Sequence, residues 1–382
     1  MQASGLEPVR DKEKTVLDLT AIGTKSAAPK LLHRVRDKVT DQIQKSPLAR
    51  KAFTYAASHI PLSYFKKLPT IIVVDVTNSC NLRCPVCPVT FAMTRPRGLM
   101  KMEIFRQIVD DFVDEPLKPA MYFNFSGEPT MNKALPEMIA YASEHGHDTF
   151  VSTNATKLSS ELIEKMLTAG LGRINLCIDG FDAEAQESYR VGSKFEQVKA
   201  NIENFLAIKQ RLGATKTVTV LQTLLTSYSE KQIDAMVEWA DNIGFDQVRF
   251  KTFSLGSYTD DGQQAEHGHL VPKNHDLQRH QNEKISLLCD VPLYQTVVFW
   301  EGDLGLCCID YDRMIKLPNV DKVGFKKAYL SDEAAKARRH GYTKQFEICQ
   351  SCSYSNADNM GFKIKLDKLR REKAAETRKV AA

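Results

Sequence analysis

The stretch Ile71-Ile72-Val73-Val74-Asp75-Val76-Thr77-Asn78-Ser79-Cys80-Asn81-Leu82-Arg83-Cys84-Pro85-Val86-Cys87-Pro88 runs from a short apolar segment into three cysteines. The segment at 71–77 reads as a strand, and the cysteines follow it on one loop, four and three residues apart. Three thiolates so spaced suit one corner each of a cubane iron–sulfur cluster. A zinc site would want a fourth ligand nearby, and none follows. One iron is then left open for a small molecule to chelate.

Outward from this loop the chain alternates. Apolar runs at 120–125, 148–153, 173–179, 217–223 and 247–253 read as further strands. Amphipathic segments such as MEIFRQIVDDFVDE, NKALPEMIAYASEHG and SELIEKMLTAGLG lie between them. Strand and helix alternating in this way predict an α/β fold, a parallel sheet covered by helices. Six units make a partial (β/α)6 barrel, smaller than the closed eight-fold one, with its active site at the C-terminal ends of the strands.

The expected organisation has five parts. Residues 1–69 form a polar leader and helical preface, and 70–253 the barrel. Residues 254–284 form a lid or linker loop, 285–360 a small cysteine-bearing domain, and 361–382 a basic, helical tail. In the preface, Ser46 and Pro47 mark a helix start and the helix stops before Pro61. That helix either packs on the barrel or, through Arg50, Lys51, Lys66 and Lys67 beside Phe53, Tyr55 and Phe65, touches a membrane surface. His267, His269, His275 and His280 of the lid read as solvated, since no second ligand set stands at a fixed spacing.

Composition limits the partners. Across 382 residues the net charge is +5, too small to argue for nucleic acid. No run of about 18 apolar residues predicts a membrane span, and the N-terminus lacks the apolar core of an export signal. The expected location is the cytosol. Nine cysteines, an odd number in two tight groups, argue for metal thiolates over disulfides.

The cysteine loop after the first strand resembles that of the radical S-adenosylmethionine (AdoMet) superfamily, and the resemblance runs over about residues 70–260. Ser126-Gly127-Glu128-Pro129 is similar to the superfamily's GGEP motif, with Ser for the first Gly. The resemblance implies that backbone carbonyls and the Glu128 carboxylate receive the methionine ammonium. Ser152-Thr153-Asn154 is similar to a ribose contact through Ser152 and Asn154. Cys177-Ile178-Asp179-Gly180 matches a common S-I-D-G motif with Cys in place of Ser, and Arg190 stands where the methionine carboxylate is paired. The implied chemistry is reductive cleavage of AdoMet to a 5′-deoxyadenosyl radical, which takes a hydrogen from substrate. A reduced flavodoxin or ferredoxin would supply the electron.

Cys289, Gly302, Cys307, Cys349 and Cys352 form C-x12-G-x4-C followed by C-x2-C. This resembles the SPASM/Twitch extension, which holds auxiliary clusters. No cysteine follows Cys352, so four ligands remain for one closed [4Fe–4S] cluster, the Twitch form. A four-cysteine zinc site uses the same pairs.

Two cysteines are left over. Period two in RINLCID puts Cys177 and Asp179 on the face opposite Ile174, Leu176 and Ile178. Cys177 is a hydrogen-atom donor there or a small packing residue. Cys308, beside a predicted ligand, is a donor, an alternate ligand or packing. By the same period Arg249 and Lys251 line the lumen and meet an anionic substrate, or are solvated.

The expected substrate is a hydroxylated small molecule, a sugar, aminocyclitol or glycosylated intermediate, oxidised to a ketone or epimerised. The alternatives are maturation of a ribosomal peptide and a non-catalytic electron carrier. The preface lacks strand patterning for the winged-helix leader-binding domain common in peptide maturases, and a carrier has no need of an open iron. Anaerobic reconstitution should load roughly eight irons per chain. Changing Cys80, Cys84 and Cys87 together to Ala should leave about half of that iron and abolish AdoMet cleavage. Release of 5′-deoxyadenosine by the triple variant would refute the assignment.

Overall fold

Strand β1 (Ile71–Val74) is buried along its whole length, and five more parallel strands follow it in sequence and in space. These are β2 (Ala120–Phe123), β3 (Thr149–Thr153), β4 (Arg173–Cys177), β5 (Val218–Leu225) and β6 (Gln247–Thr252). The computed structural model describes residues 43, 45–253, 255, 265–278, 287–350, 352 and 362–366. Each crossover carries helix, as parallel pairing requires. The longest, Phe195–Arg211, buries Phe195, Val198, Ile202, Phe205 and Leu206, one stripe at helical spacing. Side-chain caps set several starts: Ser159 accepts from the Leu162 amide and Asp182 from the Ala185 amide.

Alternation along the strands sorts the two faces of the sheet. Met121, Phe123, Ile174, Leu176, Leu221, Val248 and Phe250 join the main core under the helices. Each such fully buried side chain contributes about 1.5–3 kcal/mol. Tyr122, Ser152, Asn175, Cys177, Gln222 and Arg249 point the other way. Burial raises the Tyr122 phenol, and the charges of Arg173 and Arg249 oppose this, although three strands separate β2 from β6. The sheet therefore curls, and this second face is the lumen of a partial barrel.

The sheet extends beyond the six barrel strands at both edges. In the C-terminal cysteine region, β7 (Gln295–Val298) pairs parallel with β1. Strand β8 (Leu304–Gly305) runs antiparallel to β7, so one nine-stranded sheet takes the order β8-β7-β1-β2-β3-β4-β5-β6-β9. The tail was expected to be helical from its start. Instead β9 (Phe362–Lys365) pairs antiparallel with β6. Period-two alternation in Phe362-Lys363-Ile364-Lys365 outweighs the basic composition. Residues 1–42 and 367–382, the leader and the rest of the tail, lie outside the described residues, as does His280.

The lid region folds in part. Helical turns span Gly268–Leu270 and His275–Leu277. Leu270 is fully buried against the cysteine loop, beside Leu82, Val86, Tyr189 and Phe253. His269 and His275 face solvent, and His267 is half-buried. No helix among the described residues is long and apolar enough to cross a membrane.

The preface helix α1 (Pro47–Ser58) starts at the Ser46 cap with Pro47 in its first turn, as expected. Only Ala57 of it is buried, however, and Leu48 and Tyr55 are 80% and 69% exposed. The preface is anchored instead by the turn after it. Phe65 is buried, its carbonyl accepts from the Arg338 Nε at 2.7 Å, and Lys66 pairs with Asp332. Phe65→Ala should cost about 3–5 kcal/mol, read as a drop in the thermal midpoint. An unchanged midpoint would mean that the preface is not anchored there.

Candidate functional site

The cysteine loop leaves β1 at Asp75 and is held from several sides. Asn78 donates to the Pro96 carbonyl at 2.8 Å and accepts from the Gly98 amide at 2.9 Å. Arg97 donates to the carbonyls of Asn78 and Val89, closing the loop's two ends on one guanidinium. Burial pushes the Cys80 and Cys87 thiols up and drives Cys84 to about 12. Each of Cys80 and Cys84 is close enough to Cys87 for its charge to be felt. Three soft thiols gathered on one shielded loop fit three irons of a cluster, and loading them must release protons.

The ends of β2, β3 and β4 surround that loop. Gly127 packs so closely on it that a Cβ would stand 2.4 Å from the Thr77 carbonyl and 2.5 Å from that of Ser79. Only glycine fits there. The Glu128 amide donates to the Ser79 carbonyl at 2.9 Å. Pro129 is buried and opens a helical turn. The Glu128 carboxylate is oriented by its neighbours. Its Oε1 accepts from the hydroxyls of Thr130 and Thr153 at 2.7 and 2.6 Å and from the Thr130 amide. Its Oε2 accepts from the Asn154 amide at 2.8 Å. The carboxylate so held ties β2 to β3, and its Oε2 keeps room for one further donor.

Asn154 extends the same tie, donating to Asn81 of the cysteine loop at 3.1 Å. At the end of β4, buried Asp179 accepts from the Leu224 amide at 2.8 Å and from the Arg190 Nε at 2.5 Å. Burial works against the Arg190 charge, but Asp179 and Cys84 outweigh it and keep the guanidinium protonated. Arg190 is thus a fixed cation beside the cysteine loop.

The second cysteine group also converges. Cys289, Cys307, Cys349 and Cys352 line one cavity together with Pro292, Leu306, Ile309, Ile348 and Lys344. Burial raises the Cys289 thiol to about 12 and the Cys349 thiol to about 11, and it raises that of Cys307 as well. Four thiols in one apolar chamber match the donor set of a closed cluster. Among the described residues, no three His, Cys, Asp or Glu side chains close on a single-ion site.

Sequence reasoning missed the residue that joins the two regions. Arg95 is 5% exposed and donates to Asp75 at 3.0 Å, to Glu301 at 3.1 Å and to the Tyr311 carbonyl at 2.9 Å. Its guanidinium also stacks 4.3 Å from the Phe299 ring centre. Asp75 in turn accepts from the Ser126 hydroxyl at 2.8 Å. The available signal was Arg95-Pro96-Arg97 just past the cysteines, two cations with no acid near them in sequence.

Between the two regions lies a cavity of about 140 Å³ lined by Cys87, Phe125, Ser126, Cys308 and Tyr311 among others. Cys308 is therefore on its wall. Cys177 is not: it sits on the lumen face of β4, its Sγ 3.5 Å from the Ser152 hydroxyl and 3.4 Å from the Gln222 amide nitrogen. Arg249 and Lys251 stand on the lumen face of β6, half-buried.

Residues 74–240 match the Radical SAM superfamily, and residues 289–353 match SPASM, an iron–sulfur cluster-binding domain. These domains imply AdoMet and [4Fe–4S] clusters as the cofactors. Fe-coproporphyrin III synthase of Methanosarcina barkeri is 30% identical over 180 residues, 42% of this chain and 44% of that protein. PqqA peptide cyclase of Granulibacter bethesdensis is 28% identical over 175 residues, 39% of this chain and 46% of that one. The chain thus spans less than half the length of these curated relatives. The crystal structure of Streptococcus suis SuiB bound to S-adenosylmethionine shares the fold, with a TM-score of 0.55 at 13% identity, covering 77% of this chain and 76% of that one.

Arg95→Met should leave Asp75 buried without its cation and cost about 3–5 kcal/mol, measured as loss of thermal stability in the reconstituted protein. Arg95→Lys should recover only part of this, because an ammonium cannot reproduce the guanidinium fork. Equal stability of the Met variant and wild type would show that Arg95 does not hold the two regions together.

Proposed function

We propose that this chain, which carries a radical SAM domain followed by a SPASM domain, is a maturase that removes hydrogen from a carbon of a peptide substrate. The observation that carries this reading is similarity to two curated maturation enzymes, PqqA peptide cyclase of Granulibacter bethesdensis and mycofactocin maturase MftC of Mycolicibacterium smegmatis.

In this reading Cys80, Cys84 and Cys87 hold three irons of the first cluster, and Cys289, Cys307, Cys349 and Cys352 hold the second. Bound to the first site, the reduced cluster and AdoMet supply a 5′-deoxyadenosyl radical. The chain's own residues place the reactants. Gly127 lets the end of β2 press against the loop, and Glu128 and Asn154 lock that end to β3. Arg190, aligned by Asp179, offers a cation to the methionine carboxylate. Those cofactors would accept one hydrogen atom and one further electron from the substrate, with a proton passing to solvent, so that the product would be lighter by two hydrogens. Cys308, on the cavity wall, is the thiol placed to return a hydrogen atom instead, which would invert a centre without changing mass.

The test supplies reconstituted enzyme, AdoMet and dithionite with a library of short random-sequence peptides or with a panel of sugars and aminocyclitols. Peptides should speed 5′-deoxyadenosine release, and mass spectrometry should find members lighter by two hydrogens. If release answers only to the sugars and a ketone forms, the peptide reading falls and oxidation of a hydroxylated small molecule replaces it.

A further inference from the structure

Helix α1 finds little to lie against among the described residues. Only Ala57 of it is buried, with Phe53 half-buried on the same side. On the other side Leu48, Lys51, Ala52 and Tyr55 are exposed and stand three and four residues apart, one face of the helix. His59 continues that face, its ring centre 4.3 Å from that of Tyr55. A 12-residue helix is marginal in water unless a neighbour covers one side of it. The inner side of α1 supplies little of that cover, so the outer side is the one left to be matched.

The charge of the segment says what matches it. From residue 42 to residue 74 the sequence has no Asp or Glu, yet it carries Lys45, Arg50, Lys51, Lys66 and Lys67, all of them exposed. Asp332, at the start of the helix Asp332–Tyr342, takes up Lys66 at 2.6 Å. Lys51 and Lys67 are not ion-paired among the described residues. Lys51 stands one turn from Tyr55, and the Lys67 ammonium lies 5.4 Å from the ring centre of Tyr64, itself 45% exposed in the turn Leu62–Phe65. That turn follows α1 directly and is fixed to the protein. Arg339 donates to the Ile60 carbonyl at 3.3 Å, and the Phe65 ring centre lies 5.8 Å from that of Tyr342. Exposed Leu and Tyr flanked by Lys, with no acid among them, complement a layer that is apolar within and anionic at its rim.

We propose that α1 lies flat on an anionic phospholipid membrane, with Leu48 and Tyr55 entering the headgroup layer and Lys51 and Lys67 meeting lipid phosphates. This inference goes beyond the peptide reading and does not depend on the substrate. The test sediments the full-length, reconstituted protein with vesicles of phosphatidylcholine alone or of phosphatidylcholine mixed with phosphatidylglycerol. The protein should come down with the anionic vesicles, stay behind with the neutral ones, and be released by high salt. Each cation near such a surface contributes roughly five-fold to partitioning, so the Lys51→Gln, Lys67→Gln double variant should bind roughly thirty-fold less tightly. In a separate Tyr55→Trp variant, fluorescence should shift to the blue, relative to wild type, when anionic vesicles are added. Failure to sediment, sedimentation indifferent to lipid charge or to the double variant, or unshifted emission would overturn the inference. Self-association in vesicle-free buffer that Tyr55→Ser abolishes would give this face to a second copy of the chain and overturn it equally.

Discussion

A single buried guanidinium holds the architecture of this site together. Arg95 sits where the end of β1, the end of β2 and the loop after β8 meet, and it satisfies an acceptor from each. Burial drives Asp75 toward its neutral form, and Arg95 is the main force opposing that. Such a group is costly to desolvate and becomes stable only when every acceptor is in place. The first cysteine loop and the auxiliary region therefore cannot settle independently. Ser126 and Tyr311, both tied to Arg95, line the cavity between the two thiol groups. That contact therefore links the two thiol groups across the cavity.

Much of this was legible in the chain, and the reasons are local. The six parallel strands announced themselves because each is a short apolar run with turn-forming residues at its end. The Ser46–Pro47 start worked because a cap and a first-turn proline are properties of adjacent residues. The first cysteine triad and the four later cysteines were readable because their spacing carries the chemistry. What could not be read was long-range. Nothing near Gln295–Val298 says that it adds to β1, and nothing near Phe362–Lys365 says that it adds to β6.

The Glu128 carboxylate shows the limit of motif reading most clearly. A motif identifies a residue that the site needs without saying which atoms face the ligand. Here three donors from Thr130, Thr153 and Asn154 fix the carboxylate. The motif thereby also delivers a stiff turn of backbone pressed against the cysteine loop. Arg95 is the opposite case, a residue outside every recognised motif on which several of them converge.

The pairing of β1 with β7 sets an order of events at the ribosome. Ile71 has Gln295 as its partner, 224 residues later in the chain. At about 5–20 residues per second, β1 emerges roughly ten to fifty seconds before the strand that covers its edge. During that interval β1 is an edge strand and Asp75 has only part of its final shell, while the first cysteine loop is already available. A cluster-insertion machinery acting co-translationally would meet this first loop open and accessible, and the second cysteine group not yet made. The chain would then receive its metal in two episodes, the earlier one before the wall that later seals it has been synthesised.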